Sequence, residues 1–175
     1  FFLMVDAENL IMLFIGLEIG SISLYALAGL NRRDKLSNEA SLKYFLLGSL
    51  ASCIFIYGVA LVYVSYSLMS VYDFALAIAY TGPDLIPLTT FIGVLLIFVG
   101  LLFKIAAAPF QSWAPDVYQG SPTGYVGYMA SIVKAASFIV IARICMVSVR
   151  FILEDFETFF FAVIFLSVLI GSFFA

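Results

Sequence analysis

Residues 87–122 read PLTTFIGVLLIFVGLLFKIAAAPFQSWAPDVYQGSP. The first part, up to Ala106-Ala107-Ala108-Pro109, is apolar and long enough to cross a bilayer, which takes about 20 residues of helix. Lys104 lies deep in this run. Pro109 has no N–H to give to the carbonyl of Ile105, so the helix must break within one residue of the lysine. In hydrocarbon such a break is tolerated only where protein or water satisfies the freed group. The polar insert from Gln111 to Gly120 contains Pro115 and is followed by Pro122, so all three prolines read as helix breaks near a buried charge.

The rest of the chain has the same character. Of its 175 residues, 65% are hydrophobic and 11% charged, with a mean hydropathy of +1.17. Soluble domains carry about 25% charged residues, so soluble, disordered and disulfide-scaffold classes are excluded. Apolar runs separated by short polar punctuation give an all-α, polytopic transmembrane helix bundle of about five spans, with the proline-broken helix as the third. The spans are expected at 9–30, 38–67, 87–108 (plus the broken segment 110–120), 123–149 and 158–175, within a single transmembrane domain covering 1–175. Ser37 is expected to cap the second span. The run 71–80 is too short to cross and should lie at the interface, ending at Gly82-Pro83.

The loop after the first span carries Arg32, Arg33 and Lys35, with Lys43 just inside the next helix, whereas the following loop has Asp73, Asp84 and no base. The positive-inside rule places the first loop on the cytoplasmic or matrix side, with Arg150 as the exception. A net charge of −3 and no longer basic run give no reason to expect a nucleic-acid partner; the lipid bilayer is the expected surrounding. Cys53 and Cys145 read as small buried apolar residues. The absence of histidine removes imidazole-based metal or haem ligation from this chain, and no metal site is expected.

Three ionisable residues, Glu18, Lys104 and Lys134, lie too deep to snorkel. Each costs about 2.5–3.5 kcal/mol at a helix centre on insertion scales, so each needs a partner, a water-filled cavity or neutralisation. Ser21 and Tyr25 follow Glu18 at helical spacing and give it a polar stripe. Gly93 and Gly100 share the face of Lys104, where small residues permit close helix approach. Gly127, Ser131 and Ser137 accompany Lys134 in the same way. With Gln111 beside the break, these hydroxyls and amide are candidates to line a water path, and Glu18, Lys104 and Lys134 are candidates to transfer protons. Burial disfavours a charged amine and an acidic neighbour favours it, and that competition is what a proton relay needs. Lys43 is expected to snorkel, Asp116 to cap a short helix and Arg143 to end near the interface.

The segment from Phe103 to Pro122 resembles the broken-helix motif of the antiporter-like membrane subunits of respiratory complex I, the NADH:ubiquinone oxidoreductase. Leu13-Phe14-Ile15-Gly16-Leu17-Glu18 resembles that family's glutamate-bearing helix, Glu39-Ala40-Ser41-Leu42-Lys43-Tyr44-Phe45 the start of the next, and Ala130-Ser131-Ile132-Val133-Lys134 its central lysine. The family often has histidine where this chain has Gln111, and proline where it has Gly124.

The resemblance implies that Glu18 and Lys104 form the family's glutamate–lysine pair and that Lys134 is its relay lysine. It further implies a proton-translocating membrane-arm subunit with no redox chemistry of its own. FMN, iron–sulfur clusters and ubiquinone are then expected in other subunits, with no cofactor on this chain. The partners implied are other membrane-arm subunits, including a chain that supplies missing helices, because a full member has two five-helix units and this sequence is expected to be a truncated or split form. Its shortness points to the mitochondrial inner membrane, with the bacterial plasma membrane as the alternative. Two other functions are compatible with the residues: a structural membrane-arm subunit without proton transfer, and a subunit of a related cation/proton antiporter or membrane-bound hydrogenase.

Overall fold

The computed structural model describes residues 1–82 and 85–174; Pro83 of the Gly82-Pro83 ending, Asp84 of the acidic loop and Ala175, the expected end of the last span, lie outside them. Regular structure among the described residues is helical. In chain order it comprises α1 (Phe2–Val5), α2 (Leu10–Ala28), α3 (Lys35–Tyr66), α4 (Val71–Thr81), α5 (Leu88–Ile105), α6 (Trp113–Gly120), α7 (Thr123–Tyr128), α8 (Lys134–Arg143) and α9 (Glu157–Phe174). A π-helical turn, Met129–Val133, joins α7 to α8, and a second, Ile144–Ser148, extends α8. Five apolar stretches are long enough to span a membrane: Leu10–Ala28, Lys35–Tyr66, Leu88–Gly120, Thr123–Ser148 and Arg150–Phe173.

Helix starts follow the short polar residues. Asn9 accepts from Ile11 N–H at 2.8 Å, Asp34 from Leu36 N–H at 3.0 Å and Ser70 from Asp73 N–H at 3.2 Å. These side chains satisfy donors that a first helical turn leaves free. The cap of α3 is therefore Asp34, three residues before the expected Ser37. Ser37 is instead buried and donates to the Ala28 carbonyl at 2.8 Å. Four residues on, Ser41 donates to Tyr25 O at 2.8 Å, and Tyr125 donates to Leu24 O. The hydroxyls of Ser37 and Ser41 thus satisfy last-turn carbonyls of α2 that would otherwise be orphaned in an apolar setting.

The central contact is between α3 and α5. A Cβ on Gly58 would lie 2.6 Å from the carbonyl oxygen of Gly93, and one on Gly100 would lie 2.7 Å from Phe55 Cβ. Hydrogen-only side chains let the two backbones meet, as small residues do in membrane helix packing. One core cluster gathers Leu13, Leu17, Phe55, Val59, Phe98 and Leu101, and a second gathers Tyr25, Tyr44, Phe103, Trp113 and Val117 around the end of α5. Large apolar side chains such as Ile19, Ile22, Leu46, Leu50, Phe161 and Phe165 point outward. An outer surface of this kind suits lipid, and the chain is a multi-pass membrane protein.

Cys53 belongs to that outer surface and is exposed rather than buried, while Cys145 is half-buried and both are free. The outer flank of α3 needs no polar complement in lipid, which is why an apolar thiol is tolerated there.

Candidate functional site

Lys104 is 4% exposed on the last turn of α5. Its ammonium donates to Ser21 Oγ at 2.8 Å and to Tyr25 Oη at 3.3 Å, both on α2. It also lies 5.7 Å from the Tyr25 ring centre and 6.0 Å from that of Phe103, within reach of cation–π attraction. The expected polar stripe on α2 is therefore the surface that receives the lysine. Ser21 in turn donates to Leu17 O at 2.6 Å.

Glu18 is half-buried one turn from Ser21 and accepts from the hydroxyl of Ser52 on α3. Ser52 was not among the expected site residues; its signal is a hydroxyl on the glycine-rich, buried face of α3. The direct ion pairs among the described residues are Lys43–Glu39 and Lys43–Asp116, and Glu18–Lys104 is not one of them. Carboxylate and ammonium instead occupy one polar layer, linked through α2 and bounded by Ser52, Ser21 and Tyr25. Gly48 makes room for that layer, since a Cβ there would collide with the Tyr25 hydroxyl.

The break has a definite construction. Ala106 adopts a left-handed backbone, φ 56° and ψ 40°. Its N–H bonds to Phe103 O at 3.0 Å, and Ala107 N–H bonds to Leu102 O at 3.1 Å. This is a Schellman ending built on alanine in place of glycine. α5 therefore stops at Ile105, three residues short of the expected 108, because the turn before a proline already loses its helical partners. The Ala108 N–H leaves the helix and donates to Ser167 Oγ of α9 at 3.0 Å. The carbonyls of Lys104 and Ile105 receive no helical bond. Pro109 causes the break, but Pro115 sits inside the first turn of α6, where a missing N–H costs nothing, and Pro122 is the residue from which α7 begins.

Beyond the break, α6 is held against α3. Trp113 Nε1 donates to Phe103 O at 3.0 Å, and the indole stacks on Tyr44 at 4.7 Å between centres. Lys43, rather than snorkelling alone, bonds Asp116 Oδ2 at 2.6 Å and Glu39 Oε1 at 2.7 Å. Asp116 is thus an inter-helix partner and not a cap. Arg143 is half-buried and donates to Val5 O, the end of α1, at 2.7 Å.

Lys134 lies on the other side of the break. It is half-buried, 5.7 Å from the Tyr118 ring centre, and lines a cavity of about 970 Å³ with Gln111, Pro115, Tyr118 and Ser167. Gln111 Oε1 and Tyr118 Oη are buried without a hydrogen-bond partner, two unsatisfied polar atoms in a mainly apolar wall. Ser131 and Ser137 do not line this cavity. They donate to the carbonyls four residues back, Gly127 and Val133, and only Ser137 is buried. For Ser131 the reason is the π turn directly before Lys134, which inserts a residue and breaks the α-helical spacing that seemed to put it on one face with Lys134; Ser137 follows Lys134 within α8 and turns its hydroxyl back on its own helix. Gly127 likewise has open space around it instead of a helix contact.

A bundle of five apolar helices with an ammonium buried at the end of a broken one is an antiporter-like multi-pass membrane protein. Residues 7–175 match the family NADH:quinone oxidoreductase/Mrp antiporter, TM, and the chain belongs to that family. NADH-quinone oxidoreductase subunit N 1 of Chloroherpeton thalassium is 50% identical over 135 residues, 77% of this chain and 28% of the relative. The subunit N 1 of Solibacter usitatus is 44% identical over 173 residues, 98% of this chain and 35% of the relative. Among solved structures, a chain of respiratory complex I from Thermus thermophilus with bound aureothin is 41% identical with a TM-score of 0.69, over 81% of this chain and 30% of that one. A chain of an archaeal membrane-bound sulfane sulfur reductase is 32% identical with a TM-score of 0.73, over 81% of this chain and 28% of that one. The chain therefore spans between 28% and 35% of the length of these relatives.

Proposed function

We propose that this chain forms part of the proton-translocating membrane arm of an NADH:quinone oxidoreductase, with Glu18, Lys104 and Lys134 as its proton-transfer groups. The observation that carries this reading is the 4%-exposed ammonium of Lys104, held by Ser21 and Tyr25 at a helix break in a bundle that is otherwise apolar. A group so costly to bury has a small number of uses, and holding packed helices together does not require a break beside it. The likeness to subunit N of such enzymes supports the same assignment.

In this reading Glu18 tunes the charge on Lys104 through the layer they share. When the acid is neutralised or turns away, the ammonium loses part of its compensation and the proton moves on, through water, towards Lys134. Moving one proton against 100 mV takes about 2.3 kcal/mol, the scale of a change in one buried polar contact. Gln111 and Tyr118 carry the unsatisfied atoms that would hold water on that route. The redox chemistry would reside on FMN, iron–sulfur clusters and quinone in other subunits, and further helices packing on α9 would come from other membrane-arm polypeptide. The bacterial origin of the named curated relatives favours a plasma membrane over the mitochondrial inner membrane.

The test is Lys104→Met in the assembled enzyme, reconstituted in vesicles. Assembly and NADH oxidation are expected to survive, with protons moved per NADH falling at least severalfold. Undiminished pumping would leave the lysine a purely structural element and the chain a structural subunit. Activity with a sulfur acceptor and none with NADH and quinone would assign the chain to the other respiratory class that shares its fold.

A further inference from the structure

Six serines of this bundle, Ser21, Ser23, Ser52, Ser65, Ser131 and Ser137, donate to the carbonyl four residues back in their own helix. Ser167 has a different role, because its oxygen accepts the Ala108 N–H of another segment at 3.0 Å. α9 is otherwise thinly packed, with 11% of its spanning window buried. Its inward residues are Phe160, Val163, Ser167 and Ile170, one helical stripe. That stripe meets the third span at Phe98, whose ring centre is 5.0 Å from that of Phe160, and at the break itself.

In a continuous helix the Ala108 N–H would donate to the carbonyl of residue 104, which is Lys104. Ser167 therefore competes with the backbone of the buried lysine for one donor. We propose that Ser167 is a positioning residue for proton transfer: by holding the Ala108 N–H it keeps the helix open after Lys104 and fixes where the ammonium sits relative to the cavity that Ser167, Gln111 and Lys134 share. It acts through the backbone and need not touch the proton. The proposal rests on the proton-transfer reading above and assigns α9 a part in it.

The experiment uses the assembled enzyme in lipid vesicles, with Ser167→Ala and Ser167→Thr beside the parent and the Lys104→Met enzyme. Two quantities are read: amide hydrogen exchange of the peptide spanning residues 106–112, and the proton-to-NADH ratio across pH. Removing the hydroxyl leaves Ala108 N–H without its partner, so exchange in Ser167→Ala is expected to rise about tenfold. Its pumping ratio is expected to fall, with a displaced pH profile and intact assembly, and Ser167→Thr, which keeps the acceptor, is expected to restore both. Unchanged exchange in Ser167→Ala overturns the contact. Faster exchange with an unchanged ratio and pH profile overturns the positioning role, and a threonine enzyme as defective as the alanine one overturns the role of the hydroxyl. Normal pumping by Lys104→Met removes the functional reading instead, while the exchange data still decide the contact.

Discussion

The indole N–H of Trp113 donates to the carbonyl of Phe103 across 3.0 Å, tying the first residue of α6 to the last turn of α5. The ring is 2% exposed and lies between Tyr44 and Phe103. Two terms are therefore separable at this position. Trp113→Phe keeps most of the stacking and removes the donor, and Phe103 O still has Ala106 N–H. The expected loss is the net value of one hydrogen bond, about 0.5–1.5 kcal/mol. Trp113→Ala also empties a buried site and should lose about 3–5 kcal/mol. Thermal unfolding of this subunit in the purified assembly reads both, and a Trp113→Phe enzyme that melts with the parent would show that the hydrogen bond contributes nothing.

Ala106 holds a left-handed conformation that an L side chain adopts at a cost of about 1–2 kcal/mol. Glycine removes that cost and gives back part of it as unfolded-chain entropy. Ala106→Gly is expected to stabilise the assembled subunit by about 0.5–1 kcal/mol, and Ala106→Val to destabilise it, because a β-branched residue is least tolerated at positive φ. A lower melting temperature for the glycine variant than for the parent would contradict the Schellman ending.

The break at Pro109, the burial of Lys104 and the polar stripe of Glu18, Ser21 and Tyr25 were legible because each depends on local covalent facts or on α-helical spacing within one segment. What the sequence concealed depends on contacts between distant segments. Asp34 and Ser37 are both good caps, and only the approach of Ala28 decides that Ser37 turns away to bond α2. Asp116 meets Lys43 from 73 positions away. The π turn before Lys134 has no composition signature, so the stripe drawn from Ser131 to Lys134 assumed a spacing that the helix does not keep. Ser167 could have been found as the single hydroxyl in the apolar stripe Phe160, Val163, Ile170, but nothing local names Ala108 as its donor.

Gly48 faces the Tyr25 hydroxyl so closely that a methyl group cannot fit while the tyrosine stays in place. Gly48→Ala should therefore act on Lys104 indirectly, by pushing Tyr25 off the ammonium, at an overpacking cost of about 1–3 kcal/mol. Tyr25→Phe removes the same contact and leaves position 48 free. Both enzymes are expected to assemble and to pump fewer protons per NADH, and Gly48→Ala alone should also melt earlier. If Gly48→Ala pumps normally while Tyr25→Phe does not, the hydroxyl is not displaced and the close packing at Gly48 is not what places it.

Lys43 is shared by Glu39 of its own helix and Asp116 of α6, with all three side chains between 42% and 57% exposed. Exposed pairs of this sort are weak and screened by salt, whose Debye length falls from about 8 Å at physiological ionic strength to about 3 Å at 1 M. Asp116→Asn should consequently shift the melting of the subunit very little, because Glu39 still compensates Lys43. Asp116→Lys sets two ammonium groups against each other where α6 meets α3, so it should destabilise visibly in low salt and recover towards the parent in high salt. Lys43→Glu in the same chain restores an opposite pair across the two helices, though it faces Glu39 within α3, and should recover part of the loss. The decisive comparison is melting in low and high salt. A deficit in Asp116→Lys that salt leaves unchanged means that α6 is seated by the packing of Trp113, Val117 and Gly120 on α3, with the charges riding on it.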